Sequence, residues 1–314
     1  MKEKFLPGLL TLFVLSAPSL HAVEGALGRP VSGTAINPFA GVVPPDPGFV
    51  ISLSEIYYNA DIGGSRATPI GANLALGLDT EISFTNLTFT YIWNTPPGHW
   101  NFASAVSLPL AYVDVEADVT FGPLTGKRKE DEFGLFDLAL VPFTSSYHIS
   151  ETEHLGMGMT VWAPTGKYDS SNLANLSLNN WTFIPTLSYT KLWMEQGVEF
   201  SATWGVQFYT ENDATDYENG VVSDLEFTVI KRFASGMGVG LIGSWIDQLS
   251  DDDGDTADAL NGFSGRAFGV GPVFTYTQKF ADSQLDLSAR WVHEFSVEKR
   301  FEGEVLGLSV GYKF

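Results

Sequence analysis

The 314-residue chain has no cysteine. Disulfide scaffolds, cysteine-ligated zinc or iron–sulfur centres and thiol catalysis are thereby excluded. Cations are scarce: 17 Lys and Arg stand against 37 Asp and Glu, a formal charge of −20. Nucleic acid is no partner for such a chain, because phosphate contacts need a basic face. Long apolar runs are missing as well. No segment of 18 uninterrupted apolar residues occurs, so no transmembrane helix is expected. There is no phosphate loop, dinucleotide fingerprint, nucleophile elbow or metal-ligand cluster, and no cofactor is expected. What the chain does carry is 44% hydrophobic and 13% aromatic residues with only 17% charged, which excludes intrinsic disorder.

From residue 48 onward the chain reads at period two. Val198, Phe200, Ala202, Trp204, Val206 and Phe208 alternate with Glu199, Ser201, Thr203, Gly205 and Gln207. Leu285, Leu287, Ala289, Trp291 and Phe295 alternate in the same way with Asp286, Ser288, Arg290 and Glu294. Such alternation predicts strands with one apolar and one polar face. About twelve strands are expected, at 49–58, 81–93, 99–113, 132–146, 153–163, 181–193, 197–209, 222–233, 236–247, 266–278, 283–295 and 304–314. Short turns follow the even strands. Long polar loops, at 59–80, 114–131, 164–180, 210–221 and 248–265, follow the odd ones.

Turns at one end and loops at the other describe an outer-membrane barrel. Hydrocarbon requires every backbone group to be bonded, so the sheet must close. Aromatics such as Tyr91, Trp93, Tyr189, Trp193, Trp204, Phe208, Trp291 and Phe295 then form girdles at the interfaces. The expected fold is all-β: a transmembrane antiparallel up-and-down β-barrel of about 12 strands spanning 48–314. Residues 1–22 read as a secretory signal peptide, with Lys2 and Lys4, an apolar run from Phe5 to Leu15 and a small residue at Ala22. Residues 23–47, Gly- and Pro-rich without alternation, form either a plug across the lumen or a periplasmic leader. The Gram-negative-type outer membrane is the expected location.

The last strand sets Leu306, Leu308, Val310, Tyr312 and Phe314 on one face and ends the sequence on an aromatic. It resembles the C-terminal signature by which outer-membrane barrels are recognised for assembly, which implies the barrel-assembly machinery as a partner. A second resemblance starts near Gly156. It is carried by Ala163-Pro164-Thr165-Gly166-Lys167-Tyr168-Asp169, Trp181 with Phe183 and Pro185, Glu211-Asn212, Thr215-Asp216-Tyr217 and Gly220. Gln248 before the Asp-Gly run, Gly265-Arg266, Gly271-Pro272 with Tyr276, Arg290-Trp291, Glu294-Phe295 and Arg300 continue it, and Pro44-Pro45-Asp46-Pro47-Gly48 stands in front. The chain here resembles a family of outer-membrane proteins named for the meta-cleavage pathway of phenol degradation. That resemblance implies a channel or transporter for aromatic or other hydrophobic compounds. Members often carry a His before the acidic residue after the Thr-Asp-Tyr loop. This chain has Asp224 near that place, followed by Glu226.

The polar rows place Asp137, Glu199, Asp224, Glu226, Arg232, Asp286, Arg290 and Glu294 in the lumen. Buried charges are costly unless paired or hydrated, so these groups either pair across the interior or line a wet channel. The run Asp251, Asp252, Asp253 and Asp255 is a solvated loop or a weak Ca²⁺ site, since hard cations favour flexible oxygen ligands. In the latter case it would tie loops together or bridge to lipopolysaccharide. The favoured function is passive passage of small hydrophobic or aromatic solutes, in contact with outer-membrane lipid and lipopolysaccharide. A non-conducting barrel closed by charge pairs is the alternative. A lipid hydrolase would need a Ser–His pair at the outer-leaflet rim. His148 with Ser150 falls at a short turn and His293 lacks a serine in its row, so an enzyme is not expected.

Overall fold

The computed structural model describes residues 28–70, 73–121, 124–254 and 265–314. The proposed signal peptide and residues 23–27 lie outside the described residues. Among the described residues thirteen strands follow in order: β1 (Gly48–Ile70), β2 (Asn73–Ile92), β3 (Trp100–Phe121), β4 (Leu124–Leu135), β5 (Leu138–Ser150), β6 (Glu153–Ala163) and β7 (Thr182–Trp193). Then come β8 (Val198–Tyr209), β9 (Val222–Arg232), β10 (Met237–Gln248), β11 (Arg266–Lys279), β12 (Gln284–Glu298) and β13 (Glu302–Lys313). All pairings are antiparallel and join sequence neighbours except β3 with β5 and β1 with β13; β1 pairs with both β2 and β13, with Val50 opposite Lys313. The barrel therefore closes with twelve staves, β4 and β5 sharing one.

That shared stave is broken at Phe136-Asp137. β5 pairs with both β3 and β6, whereas β4 pairs only with the outer half of β3. One edge of β4 thus carries no ladder bonds from a neighbouring strand.

In the segments 59–80 and 114–131, expected as polar loops, the described residues 59–70, 73–80, 114–121 and 124–131 are instead strand. β1, β2 and β3 run for 23, 20 and 22 residues, about twice the 9–11 that a bilayer requires. Paired hairpins satisfy their own backbone groups above the membrane, and polar outward residues such as Asp61, Asp79 and Glu116 keep them wet. The loops at 164–181, 210–221 and 249–254 remain irregular in the described residues.

Alternation sorts the two faces. In β8, Glu199, Ser201, Thr203 and Gln207 are buried while Trp204 and Phe208 point outward, 45% exposed. Outward apolar residues recur round the wall, among them Leu187, Phe227, Leu241, Phe274, Trp291 and Leu308. This exterior is an apolar band, the surface that hydrocarbon demands. The short turns use glycine where the backbone requires it. Gly236 has φ +86°, and a Cβ there would lie 2.3 Å from the Thr277 carbonyl oxygen.

Candidate functional site

The interior divides in two. Residues 28–47 run inside the barrel from the loop end to the turn end, mostly along β7–β13 and crossing to β2, β3 and β5 near the turns. Near the loops Arg300 donates to the Pro30 carbonyl at 2.7 Å. Half-way down, Glu226 accepts from the Gly33 and Ile36 amides at 2.7 and 2.8 Å, and Arg290 donates to both of their carbonyls at 2.6 Å. Lower still, Glu199 accepts from the Phe39 amide at 2.6 Å and pairs with Arg232, whose guanidinium sits 4.1 Å from the Phe39 ring centre. Gly41 donates to Thr190 Oγ1 at 3.1 Å and its carbonyl accepts from Ser146 Oγ. At the turn end Val43 packs with Ile92 and Ala103. A segment without regular structure has no ladder to bond to. Charged side chains of the wall supply its partners instead, each satisfying main-chain groups that would otherwise be buried unpaired.

The other half, beside β1, β2, β3, β5 and β6, is a cavity of about 380 Å³, within the range of small-molecule sites. Its wall includes Ile56, Ile82, Phe84, Val113, Phe136 and Trp162. Phe84 meets Phe136 edge-on at 5.0 Å, and Phe136 meets Trp162 edge-on at 6.2 Å. Toward the turn end the lining becomes hydroxyl and amide, with Ser54, Asn86 and a Thr88–Ser107 hydrogen bond of 2.5 Å.

Loop 164–181 covers the cavity and the free edge of β4. Leu138 N donates to Thr165 Oγ1 and Gly166 N to Asp137 Oδ1, at 2.9 and 3.0 Å. A Cβ on Gly166 would lie 1.8 Å from the Leu176 carbonyl oxygen, so only glycine fits. Lys167 pairs with Glu132, the Leu173 amide donates to Glu130 at 2.6 Å, and Arg128 donates to the Ser171 carbonyl at 2.8 Å. Asp169 accepts from the Ser171 hydroxyl and amide, which hold its carboxyl below the usual range. These contacts run through side chains, so the seam between β4 and β6 is held without a backbone ladder.

Seven of the eight charges read from the sequence are brought together round the interior. Glu199, Glu226, Arg232 and Arg290 grip the segment. Asp137, in the break of the stave, binds Arg29 at 2.7 Å. Glu294 accepts from the Tyr58 hydroxyl at 2.7 Å, and Asp224 accepts from Gln207 at 3.1 Å. Asp286 stands apart near the turns, accepting from Thr277 and Gln284. The acidic run is not solvated throughout. Asp252 is buried and accepts from Tyr217, the Gly220 amide and Gln248 at 2.5–2.6 Å, clamping loop 210–221. Asp251 and Asp253 are exposed, and Asp255 lies outside the described residues. Among the described residues no group of three or more His, Asp or Glu is placed to hold a metal.

His148 Nδ1 faces His154 Nδ1 at 2.7 Å rather than Ser150, whose hydroxyl turns to Thr152. His293 points outward and pairs with Glu304. Neither makes a Ser–His pair.

Sequence reasoning missed Arg29, Tyr58, Phe136 and Trp162. On β1–β3 the inward row is itself apolar (Ile56, Tyr58, Ile62, Leu78, Ile82, Val113), so the contrast between faces that marks a strand is weak there. That weak contrast was the available signal of an apolar lumen. Arg29, an isolated cation in an otherwise apolar and Gly/Pro-rich stretch, was the signal for the segment's anchor.

A closed barrel with an apolar exterior, an internal strap and a lined cavity defines a plugged transmembrane β-barrel. The sequence matches the family described as "Putative MetA-pathway of phenol degradation" over residues 63–310, and the chain belongs to that family. Among solved structures it is similar to an outer-membrane channel from Pseudomonas putida F1, at 15% identity and TM-score 0.70, covering 89% of this chain and 100% of that one. A Pseudomonas aeruginosa FadL homologue is 8% identical with TM-score 0.45, covering 95% and 98%. A mutant of TodX, titled a monoaromatic hydrocarbon channel, is 9% identical with TM-score 0.43, covering 88% and 92%. No curated protein sequence matches.

Proposed function

We propose that this protein is an outer-membrane channel for passive passage of small hydrophobic or aromatic solutes. The observation that carries the reading is the aromatic-lined cavity beside the plugged half of the lumen. The description of the Pseudomonas putida structure as an outer-membrane channel, and the pathway in the family's name, agree with it. On this reading residues 1–22 direct export, the strand ending in Phe314 is read by the assembly machinery, and the barrel sits among lipid and lipopolysaccharide. Its chemistry is transport rather than catalysis.

An apolar solute enters between the loops and gains about 25 cal/mol per Å² of apolar surface withdrawn from water. Straight descent is closed by Val43 against Ile92 and Ala103. The exit that remains is the seam beside Phe136, where one edge of β4 has no strand partner among the described residues and outward Phe133 and Leu135 are 68% and 63% exposed. Apolar side chains so exposed mark the lipid side of the wall, so the solute leaves into the bilayer. Movement is down a gradient, without coupled energy.

The anchored strap also favours a second reading, a non-conducting barrel closed by its charges. Uptake of labelled ethylbenzene by cells with and without the protein separates the two. Ile82→Trp fills the cavity with apolar bulk and is expected to cut uptake to the level of cells lacking the protein, with barrel folding intact. Uptake that never depends on the protein supports the closed barrel.

A further inference from the structure

Among the described residues lining the cavity, Arg29 is the only charged one, and Asp137 already answers its charge. Its donors are unequally used. Nε donates to Thr182 Oγ1 at 3.1 Å, and Nη2 to Asp137 Oδ2 at 2.7 Å. Nη1 is buried and has no acceptor. A buried donor on a charged group is costly to leave unmatched. The guanidinium carbon lies 5.0 Å from the Trp162 ring centre and 5.5 Å from that of Phe136. One corner of the cavity therefore joins two aromatic walls to an unspent hydrogen-bond donor.

We infer that this corner selects aromatic solutes bearing one oxygen acceptor, a carbonyl or hydroxyl, over the corresponding hydrocarbons. The ring packs against Phe84, Phe136 and Trp162, and the oxygen accepts from Arg29 Nη1. The solute is neutral, because the Arg29–Asp137 pair leaves no net positive charge to meet a carboxylate. The inference rests on the cavity being the solute site and adds what that site reads. Sites that hydrogen-bond a substrate oxygen discriminate against analogues lacking it far better than apolar pockets discriminate by size.

The test is equilibrium binding of acetophenone and ethylbenzene, which differ by a carbonyl for a methylene, to the refolded full barrel in detergent. Tryptophan fluorescence reports binding, with Trp162→Phe as the local reference. Acetophenone is expected to bind about tenfold more tightly, the worth of one hydrogen bond to a charged donor. In Arg29→Lys a cation stays beside Asp137 but Nη1 is gone, so the ratio of the two affinities falls to about one. Benzoate is expected to bind no more tightly than acetophenone. Equal affinities in the wild type, a preference that survives Arg29→Lys, or tighter binding of benzoate overturns the inference while leaving the cavity a solute site. Binding of neither neutral compound overturns the reading of the cavity itself. If Arg29→Lys does not fold, anomalous scattering from soaked 4-bromoacetophenone decides: the carbonyl on Arg29 supports the inference, and any other placement overturns it.

Discussion

Asp137 is fully buried, yet it accepts from Arg29 Nη2 and from the amides of Gly166 and Leu178, at 2.7, 3.0 and 3.1 Å. Three elements (the strap, the broken stave and loop 164–181) meet on one carboxylate. Removing one partner of a buried pair strands the other, at a cost of about 3–5 kcal/mol. Asp137→Ala is therefore expected to lower the urea midpoint of the barrel substantially and to loosen loop 164–181. A midpoint within error of the wild type would contradict the assignment. At this scale the sequence showed which rows bear charge but not what the charges meet. Glu226 and Arg290 stand on inward rows whichever way the lumen is used. That both bind the main chain of Gly33 and Ile36 depends on a strap whose composition carries no period to read.

At the scale of elements, the strap is held chiefly by side chains rather than by strand pairing, so single substitutions reach it. Glu226→Ala removes the acceptor of two strap amides. Hydrogen exchange at Gly33 and Ile36 is expected to speed, and bilayer conductance to rise above that of the wild type, while the strand amides stay protected. Unchanged exchange at both amides would show that the strap does not depend on this carboxylate. The turns give a second check. Gly236 holds a left-handed backbone against the Thr277 carbonyl, so Gly236→Ala is expected to destabilise by about 1–3 kcal/mol. An unaltered unfolding midpoint would contradict it. Strands β6–β13 were legible because their faces differ in polarity. The upper parts of the β1–β4 hairpins were not, since there the outward row is polar (Asp61, Asp79, Glu116) and the inward row apolar (Ile62, Leu78, Val115), the reverse of strands within the membrane, and the polar outward residues read as loop. The break at Phe136-Asp137 falls within a stretch expected as one strand at 132–146 and left no mark on its pattern.

For the whole molecule, closure of the sheet, the short turns at one end and the apolar exterior follow from alternation and the needs of a backbone in lipid. The division of the lumen does not. Inward charges on β8, β9 and β12 face the strap, and apolar inward residues on β1–β3 face the cavity. Both halves were present in the sequence, but only the polar half stood out against the outward apolar rows. On the proposed route the two act as one device: the strap closes the lumen toward the turns, and the unladdered seam beside β4 lets solutes through the wall.

The most direct test of that account locks the closed end. The chain has no native cysteine, so Val43→Cys with Ile92→Cys gives a clean pair where the two side chains pack together. Uptake of labelled ethylbenzene is then measured with the pair oxidised and reduced. The account predicts the same protein-dependent uptake in both states, because solutes leave through the wall. Uptake that vanishes on oxidation and returns on reduction would contradict it, placing the route where the strap now lies.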